Sequence, residues 1–266
     1  MIHPTAVIHP SARIAATTSI GPYAVIDAEV TIGEECQIGP HVYLTGRTEL
    51  GARNRLHAGC VIGDLPQDVR FTGGPTRVVI GDNNVIREHV TIHRSNKLGD
   101  PTRIGSNNLL MAHCHVGHNS VVGDHVIIAN GALLGGHVTV QDRVFISGTC
   151  MLHQFVRVGA LALMQGGSGI SKDLPPFTIA RGNNSIAGLN TIGLRRAGFT
   201  PEERLELRRA YHLLFRSGLK MSEALARARD QFHSPKTKTL LDFLASGRRG
   251  FCSDTGLVRE EQSEAE

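Results

Sequence analysis

The chain has 266 residues and a mass of 28.7 kDa, which suits one large domain or one domain with a smaller companion. Its composition of 41% hydrophobic and 20% charged residues excludes a disordered chain, and no apolar stretch reaches the ~18 residues of a membrane span. The net charge is only +4, the five cysteines form no CxxC pair and no secretory signal is visible, so we expect a cytoplasmic protein without a disulfide framework.

A six-residue repeat from Ile2 to Ile170 predicts most of the fold. Every sixth residue in this span is aliphatic at 27 of 29 positions, and only Asp68 and Gly74 break the series. Neither the period of a helix nor that of an ordinary alternating strand explains this spacing. A short strand and a turn in every six residues build a three-sided coil. We therefore predict a mainly β protein in which residues 1–189 form a left-handed parallel β-helix of hexapeptide repeats.

Two other positions of the repeat also carry a pattern. The residue two before the aliphatic one is usually small, as at Ala24 and Cys60, and we expect it to fit near a corner of the prism. Glycine often follows the aliphatic residue, as at Gly33 and Gly117. We interpret this glycine as the turn residue that supplies a positive φ.

Two segments are predicted to leave the prism as loops. Residues 64–79 interrupt the series and contain Gly73, Gly74 and Pro75. Residues 94–101 stay in phase through Leu98, but their polarity and Pro101 predict a second, shorter loop. Loops on a rigid solenoid often carry function, so both are candidate parts of a site.

After Ile170 the composition changes, and residues 190–250 are predicted to form a small, basic α-helical domain. Thr200 and Glu203 form a capping box around Pro201, which predicts a helix start. Further N-cap candidates and helix stops are Ser222, Ser234, Gly218 and Gly247. Residues 251–266 are predicted to be a flexible tail.

Charge is concentrated in the predicted helical domain. Residues 195–250 carry a net +7, against +1 for residues 1–194 and −4 for residues 251–266. This excess indicates either an acidic partner or a solvated helix surface. Nucleic acid is not favoured as the partner, because no recognised motif is present and aromatic residues for stacking are few.

Histidines cluster within the repeat. His113 and His118 lie in the run MAHCHVGHN, and one coil of eighteen residues places His118, His137 and the His153–Gln154 pair on successive coils along one edge. Three interpretations compete. Each histidine could cap a turn, or His113 and His118 could bind metal with the HxxxxH spacing of γ-class carbonic anhydrases. In the third, one imidazole is a general base and its neighbours bind a polar substrate.

A series of motifs then carries a family resemblance. IGDLPQDVRF, IGDNNVIREHVTIHR, LLMAHCHVGHN, GGHV, HQF, DLPPF and GLRRAGF appear in this order. Together with the repeat they resemble the acyl-ACP:UDP-N-acetylglucosamine O-acyltransferases, a family of hexapeptide-repeat acyltransferases in lipid A biosynthesis. The resemblance covers residues 1 to about 250.

The resemblance implies roles for individual residues. His118 matches the general base that deprotonates the sugar 3-hydroxyl, and the backbone N–H of Gly136 matches the donor that stabilises the oxyanion. Asp68 matches a sugar-binding residue, and Arg70 retains the positive charge of a residue that is often Lys. The other positions that match substrate-binding residues are His115, His137, His153, Gln154, Asn190 and Arg196.

The resemblance also implies partners. These are acyl carrier protein, UDP-N-acetylglucosamine or a 3-amino analogue, and two further copies of the chain in a homotrimer; no cofactor or metal is expected. The acidic carrier protein is expected to dock on the basic helical domain through Arg195, Arg204, Arg208 and Arg216. A hexapeptide acetyltransferase that uses acetyl-CoA and a metal-binding, γ-carbonic-anhydrase-like β-helix remain as alternatives.

Three positions decide finer properties. The family often has Asp after the catalytic histidine, whereas this chain has Asn119, which leaves open what orients His118. Ile192 replaces a Glu that some members carry near the uridine. Gly166 matches the residue that limits acyl-chain length; if it is not merely a turn glycine, its missing side chain predicts a long 3-hydroxyacyl chain.

Overall fold

A computed structural model describes residues 1–254. Its strands lie in three sheets of nine, eight and eleven strands, and as far as Ile170 successive strands of the chain pass to the next sheet in turn. This is the predicted left-handed parallel β-helix, with one sheet on each face of a three-sided prism. Within residues 1–254, four helices follow the prism.

In each face of the prism, strands from successive coils lie side by side. The first face contains β1 (Val7–Ile8), β4 (Val25–Ile26), β7 (Tyr43–Leu44), β10 (Val61–Asp64), β13 (Thr91–His93), β16 (His115–Val116), β19 (Leu133–Leu134), β22 (Met151–Leu152) and β25 (Gly169–Ile170). The second contains β2 (Arg13–Ile14), β5 (Thr31–Ile32), β8 (Arg47–Leu50), β11 (Arg77–Ile80), β14 (Thr102–Ile104), β17 (Val121–Val122), β20 (Thr139–Val140) and β23 (Arg157–Val158). The third contains β3 (Ser19–Ile20), β6 (Gln37–Ile38), β9 (Arg55–Leu56), β12 (Val85–Ile86), β15 (Leu109–Leu110), β18 (Ile127–Ile128), β21 (Phe145–Ile146), β24 (Leu163–Met164), β26 (Thr178–Ala180), β27 (Ser185–Leu189) and β28 (Ser253–Asp254).

The core of the prism is a stack of the aliphatic side chains that repeat every six residues. Ile62, Ile92 and Leu134 are representative, since none of them is exposed to solvent. The small residues that precede them by two positions, among them Ala24 and Cys60, are buried as well, as predicted. Each fully buried aliphatic side chain contributes about 1.5–3 kcal/mol, so the stack stabilises the fold without large aromatic rings.

The glycine after the aliphatic residue has a different role from the one predicted. Gly33 and Gly117 do not have a positive φ; a Cβ on either would lie 2.7 Å from a backbone carbon of the next coil. These glycines allow the coils to stack closely. The left-handed conformation occurs three residues after the aliphatic residue and is adopted mostly by other residues, such as Asn119 (φ 59°) and His137 (φ 59°).

Two excursions interrupt the coils on the same side of the prism. Ile32 pairs with Leu50 on the next coil, at the regular spacing of one coil. Leu50, however, pairs with Ile80, which is farther along the chain than one regular coil, because residues 65–76 are inserted between β10 and β11. The second excursion, residues 94–101, joins β13 to β14; Leu98 is 70% exposed, although it is in phase with the core residues. The two loops meet where Asn96 Nδ2 donates to Asp68 Oδ2 at 2.8 Å.

The helices are α1 (Thr191–Arg196), α2 (Pro201–Phe215), α3 (Met221–Gln231) and α4 (Pro235–Ala245). Thr200 and Glu203 form the predicted capping box of α2, and Ser234 caps α4 by accepting a bond from Thr237 N–H. The prediction for Ser222 was wrong, because the N-cap of α3 is Lys220, two residues earlier, and Lys220 makes no side-chain capping bond. Among residues 1–254, no helix has the length and apolar character needed to cross a membrane.

Residues 251–254, where the flexible tail was expected to begin, are packed against the rest of the chain. Cys252 is buried, and β28 pairs with β27. Asp254 Oδ2 accepts hydrogen bonds from Tyr211 and Arg216, which ties this strand to α2. The rest of the predicted tail, residues 255–266, lies outside the described residues.

Candidate active site

A groove of about 720 Å³ runs along the outer surface of the first face. Its floor is the ladder of outward-pointing residues on successive coils, His115, Leu133, Met151 and Gly169. Histidines surround one end of the groove, whereas Leu133 and Met151 make its middle apolar. The groove can therefore hold a molecule with a polar end and an apolar chain.

His118 lies at the polar end, and its orientation follows from its neighbour. It is only 6% exposed, and its Nδ1 lies 2.9 Å from Asn119 Oδ1. The same oxygen accepts a hydrogen bond from the backbone N–H of Asn96 at 3.0 Å. A backbone N–H can only donate, so the Asn119 atom that faces Asn96 and His118 must be the oxygen.

The amide nitrogen of Asn119 confirms this assignment. It lies 2.7 Å from Ser95 Oγ, whose own hydrogen is used in a bond to Lys97 O. The nitrogen is also 3.1 Å from both the carbonyl oxygen and Oδ2 of Asp100. Asn119 therefore donates outward and accepts from His118. Neutral His118 carries its proton on Nδ1, which leaves a basic lone pair on Nε2.

Gly136 lies directly beneath this nitrogen. A Cβ on Gly136 would be 2.6 Å from His118 Nε2, so only glycine permits this contact. Its carbonyl accepts a bond from Phe155 N–H, but within residues 1–254 its own N–H donates to no group. A free backbone donor next to a basic imidazole nitrogen is the arrangement that acyl transfer requires, since it stabilises the oxyanion.

Three further histidines surround His118, and burial lowers the pKa of each. The pKa of His115 falls to about 4, and its Nδ1 bonds Thr91 Oγ1 at 2.8 Å. His93 packs edge-on against His115, and its Nδ1 is buried without a hydrogen-bond partner in residues 1–254. His137 meets His118 edge-on with the ring centroids 5.1 Å apart. All three are neutral at neutral pH, which suits hydrogen bonding to a polar substrate.

The predicted column of histidines is only partly correct. His137 follows His118 on the next coil, but the next ring in the column is Phe155, which stacks on His137 at 4.5 Å. His153 and Gln154 instead line the groove, and both are exposed. His153 Nδ1 lies 3.4 Å from Arg249 in the loop after α4.

Asp68 and Arg70 lie in the first loop, beside a second pocket of about 440 Å³ that also includes His137. The Arg70 backbone N–H, the Asn96 side chain and the Arg70 guanidinium hydrogen-bond the Asp68 carboxylate and lower its pKa to about 2. Asp68 is therefore an anion throughout the physiological range. It can accept a hydrogen bond from a sugar hydroxyl near the histidines.

Three predicted residues lie outside this groove in the protomer. Asn190 is the N-cap of α1 and also bonds Leu161 O. Arg196 is exposed at the end of α1. Gly166 follows a strand of the third face, and a Cβ added there would meet only Gly148 O, at 3.6 Å. Their assigned roles remain predictions that a single protomer does not test.

Sequence reasoning missed His93, Gln67, Asn96 and Asp100. His93 occupies the position after an inward aliphatic residue that glycine often takes, and this substitution was a usable signal. Gln67, Asn96 and Asp100 come from the two loops, where no repeat indicates which way a side chain points.

Three of the predicted docking arginines meet at a pocket of about 400 Å³. Arg195, Arg204 and Arg208 surround a floor that includes Ile192 and Leu205. Ile192 is 57% exposed, so it adds apolar surface there. Arg216 differs from the other three because its guanidinium bonds Asp254 2.5 Å away and lies over the Tyr211 ring.

The HxxxxH pair does not form a metal site within the protomer. His113 stacks on His89 at a corner of the third face, whereas His118 follows a strand of the first face. Among residues 1–254, no group of three His, Cys, Asp or Glu side chains is arranged to hold a metal ion.

The prism and its groove place the chain among the hexapeptide-repeat transferases. The family model for bacterial transferase hexapeptide repeats matches residues 29–64 and 101–136, and the model for domain 2 of UDP-N-acetylglucosamine O-acyltransferase matches residues 173–252. The chain belongs to the family of acyl-[acyl-carrier-protein]–UDP-N-acetylglucosamine O-acyltransferases.

Individual relatives support this assignment over almost the whole chain. The enzyme of that name from Myxococcus xanthus is 47% identical over 94% of this chain and 98% of its own length. The enzyme from Halorhodospira halophila is 41% identical over 94% of this chain and 98% of its own length. The crystal structure of the UDP-N-acetylglucosamine acyltransferase of Francisella novicida superposes with a TM-score of 0.91 at 36% sequence identity. The match covers 98% of this chain and 99% of the Francisella chain.

Proposed function

We propose that this protein transfers a 3-hydroxyacyl chain from acyl carrier protein to the 3-position of UDP-N-acetylglucosamine, a step of lipid A biosynthesis. The observation that carries this proposal is the close approach of His118 Nε2 to Gly136, whose N–H donates to no group within residues 1–254, at the polar end of an apolar groove. The relatives, which are named for this reaction, support the choice of substrates.

The reaction follows from these groups. His118 Nε2 takes the proton of the sugar 3-hydroxyl as its oxygen attacks the thioester carbonyl carbon. The carbonyl oxygen becomes an oxyanion, which the Gly136 N–H stabilises. When the tetrahedral intermediate collapses, the C–S bond breaks and the protonated His118 gives its proton to the leaving thiolate. The base is thereby regenerated, and no cofactor is needed.

The remaining polar residues bind the nucleotide sugar and the ester. Asp68 and Arg70 approach the sugar from the loop, and His115, His137, His153 and Gln154 contact it or the acyl group from the prism. Asn190 and Arg196 bind the UDP portion, as their match to the family implies. The acyl chain lies on Leu133 and Met151.

The protein acts as a homotrimer in the cytoplasm. On the third face, the outward residues of six successive coils are all apolar and only partly buried, and we call them the apolar ladder: Val85, Leu109, Ile127, Phe145, Leu163 and Ile179. An exposed sheet normally presents polar side chains, so this flat strip is covered by other copies of the prism. Assembly also explains how Gly166, Asn190 and Arg196 reach a groove from which they are separated in the protomer.

A charge in the apolar ladder should break the trimer. Phe145→Glu places a carboxylate in the middle of the strip, and we expect a monomer with little acyl transfer, because the buried charge is unpaired. Light scattering on the eluting protein measures the mass. Gln37→Glu, on the polar end of the same face, is the matched control and should remain trimeric. A trimeric Phe145→Glu variant would contradict this interface.

Carrier protein docks on the pocket rimmed by Arg195, Arg204 and Arg208. The rim is cationic and the floor apolar, which complements an acidic protein with a hydrophobic contact. Arg216 takes a smaller part, because it is already engaged with Asp254.

Charge reversal at this rim should weaken binding of the carrier. For Arg204→Glu/Arg208→Glu we expect KM for acyl carrier protein to rise roughly tenfold at low salt, with a weaker dependence on ionic strength. Steady-state kinetics over a salt series measures both. Lys220→Glu/Lys238→Glu makes the same charge change in the same domain but outside the pocket, and should behave like the parent. Equal effects from both variants would mean that only net charge matters.

Gly166 occupies the position that sets acyl-chain length, in a tunnel for the acyl chain that runs along the prism between subunits. It has no side chain and is exposed in the protomer, so the tunnel stays open to long chains. Gly166→Met should shift preference toward shorter chains, because each CH₂ that loses its buried place forfeits ~0.8 kcal/mol. Competition among acyl carrier protein thioesters of different length measures the preference. An unchanged preference would place the limit elsewhere.

The experiment that tests the function is a product analysis with two donors and two acceptors. Purified protein is incubated with 3-hydroxyacyl carrier protein or acetyl-CoA, and with UDP-N-acetylglucosamine or its 3-amino analogue. We expect mass spectrometry to detect acylated UDP-N-acetylglucosamine with the carrier protein donor. Transfer from acetyl-CoA alone would favour the acetyltransferase alternative, and acylation of only the amino sugar would change the acceptor.

A further inference from the structure

The carboxylate of Asp100 lies behind Asn119, on the side away from His118. Asp100 Oδ2 and the Asp100 carbonyl oxygen both lie 3.1 Å from Asn119 Nδ2, while Asn119 Oδ1 is 2.9 Å from His118 Nδ1. The three side chains form one line of hydrogen bonds that begins in the second loop and ends at the catalytic imidazole.

Asn119, the middle residue of this line, is held firmly in place by the second loop. Asn119 is 5% exposed, and its backbone N–H donates to Thr102 Oγ1 at 2.8 Å, two residues after Asp100. Ser95 Oγ, at the start of the same loop, accepts the other hydrogen of the Asn119 amide. Both ends of the loop therefore hold Asn119, and all four hydrogen-bonding positions of its side chain are occupied.

We propose that Asp100 is a positioning residue for His118, whose negative charge acts through the Asn119 amide. An amide alone can hold the Nδ1–H of His118, but it has no charge to balance the imidazolium that forms when Nε2 takes the substrate proton. The Asp100 carboxylate polarises the Asn119 amide, which makes Oδ1 a stronger acceptor at that moment. Asp100 touches neither substrate, and this role rests on the acyl transfer proposed above.

The other charged and titratable groups near His118 are few. His93, His115 and His137 face it, and burial lowers the pKa of each. Asp64 acts on His93, and Lys97, Asp100 and Asp68 act on His137. Asp100 is the acid bonded to the Asn119 amide within residues 1–254, so a change in its charge should reach His118 most directly.

The test replaces the charge and keeps the shape. Asp100→Asn retains an oxygen that can accept from Asn119, so the loop should remain in place. We expect kcat to fall roughly threefold to tenfold, the effect of one weakened charge-assisted hydrogen bond, with KM for both substrates almost unchanged. The acid limb of the kcat–pH profile should move to lower pH, because the imidazolium loses a stabilising anion.

A second variant exchanges the two side chains, so that the carboxylate stands at position 119, next to His118. In Asp100→Asn/Asn119→Asp the negative charge contacts His118 Nδ1 directly, so kcat should recover and the acid limb should move above that of the wild type. Asp124→Asn is the matched control: Asp124 Oδ1 accepts from Ser106 N–H on another part of the prism, and both kcat and the profile should be unaffected. A wild-type profile for Asp100→Asn, or a loss that the double variant does not restore, would overturn the proposal.

A measurement without turnover separates this proposal from the proposed function. The ¹⁵N spectrum of histidine-labelled protein, with His118 assigned by comparison with His118→Gln, reports the tautomer and the titration midpoint of the ring. We expect the Nδ1–H tautomer in the wild type and a midpoint at lower pH in Asp100→Asn. If the wild type transfers no acyl group but Asp100→Asn still lowers the midpoint of His118, the proposed function is wrong and the role of Asp100 stands. An unchanged midpoint overturns the role of Asp100, whatever the activity.

Discussion

His118→Ala is expected to lower kcat by ~10²–10⁴, the range that general-base catalysis contributes. Its Nε2 is the basic atom that lies against Gly136, and within residues 1–254 Asn119 hydrogen-bonds the ring of His118 and of no other histidine, so the neighbouring histidines cannot replace it. Steady-state kinetics with saturating acyl carrier protein and UDP-N-acetylglucosamine measures the loss.

Two controls keep this result interpretable. The variant should elute and melt like the wild type, since His118 projects from the prism and is not one of its inward core residues. His9→Ala, on the exposed first coil, should retain full activity. Near-normal turnover by His118→Ala would remove this residue from the mechanism.

Gly136→Ala is expected to lower kcat by ~10²–10³, comparable to the loss of one oxyanion donor. The added methyl group would lie 2.6 Å from His118 Nε2, so the imidazole must turn away from the reacting atoms and the donor at Gly136 is shielded. Neither effect requires the prism to unfold, because Gly136 does not have a positive φ.

Gly148→Ala is the matched control for this variant. Gly148 occupies the same position of the six-residue repeat, two residues after an inward aliphatic side chain, and its Cβ would meet only Asn130 O at 3.3 Å. We expect at most a small change in activity or in the midpoint of thermal unfolding. Equal losses from both variants would show that any Cβ at this position distorts the coil, and would remove the specific role of Gly136.

The fold was predictable because the six-residue period acts on many residues at once. One misplaced residue, such as Leu98, does not disturb that signal, although this side chain is exposed in a loop. The role of glycine was harder, because close stacking of backbones and a positive φ both favour glycine and look alike in a sequence. The structure separates them: Gly117 permits stacking, and Asn119, two residues later, adopts the positive φ.

The site was predictable where it lies on the repeat. The spacing of one coil placed His118 and His137 on neighbouring coils of one edge, and their rings are in contact. The same spacing wrongly placed His153 in the column, whereas the ring that stacks on His137 is that of Phe155. The difference of two residues matters, because it moves a side chain from a wall of the prism to a corner. Asp100 could not be predicted, because it reaches Asn119 through a loop whose path no periodic pattern describes.

A crystal structure of the protein with its acylated product, UDP-3-O-(3-hydroxyacyl)-N-acetylglucosamine, tests the central claim most directly. The 3-oxygen of the sugar should lie about 3 Å from His118 Nε2, within the reach that general-base catalysis needs. The ester carbonyl should face the N–H of Gly136, and the acyl chain should extend along Leu133 and Met151. A product whose sugar binds away from His118, or whose acyl chain leaves this groove, would contradict the account.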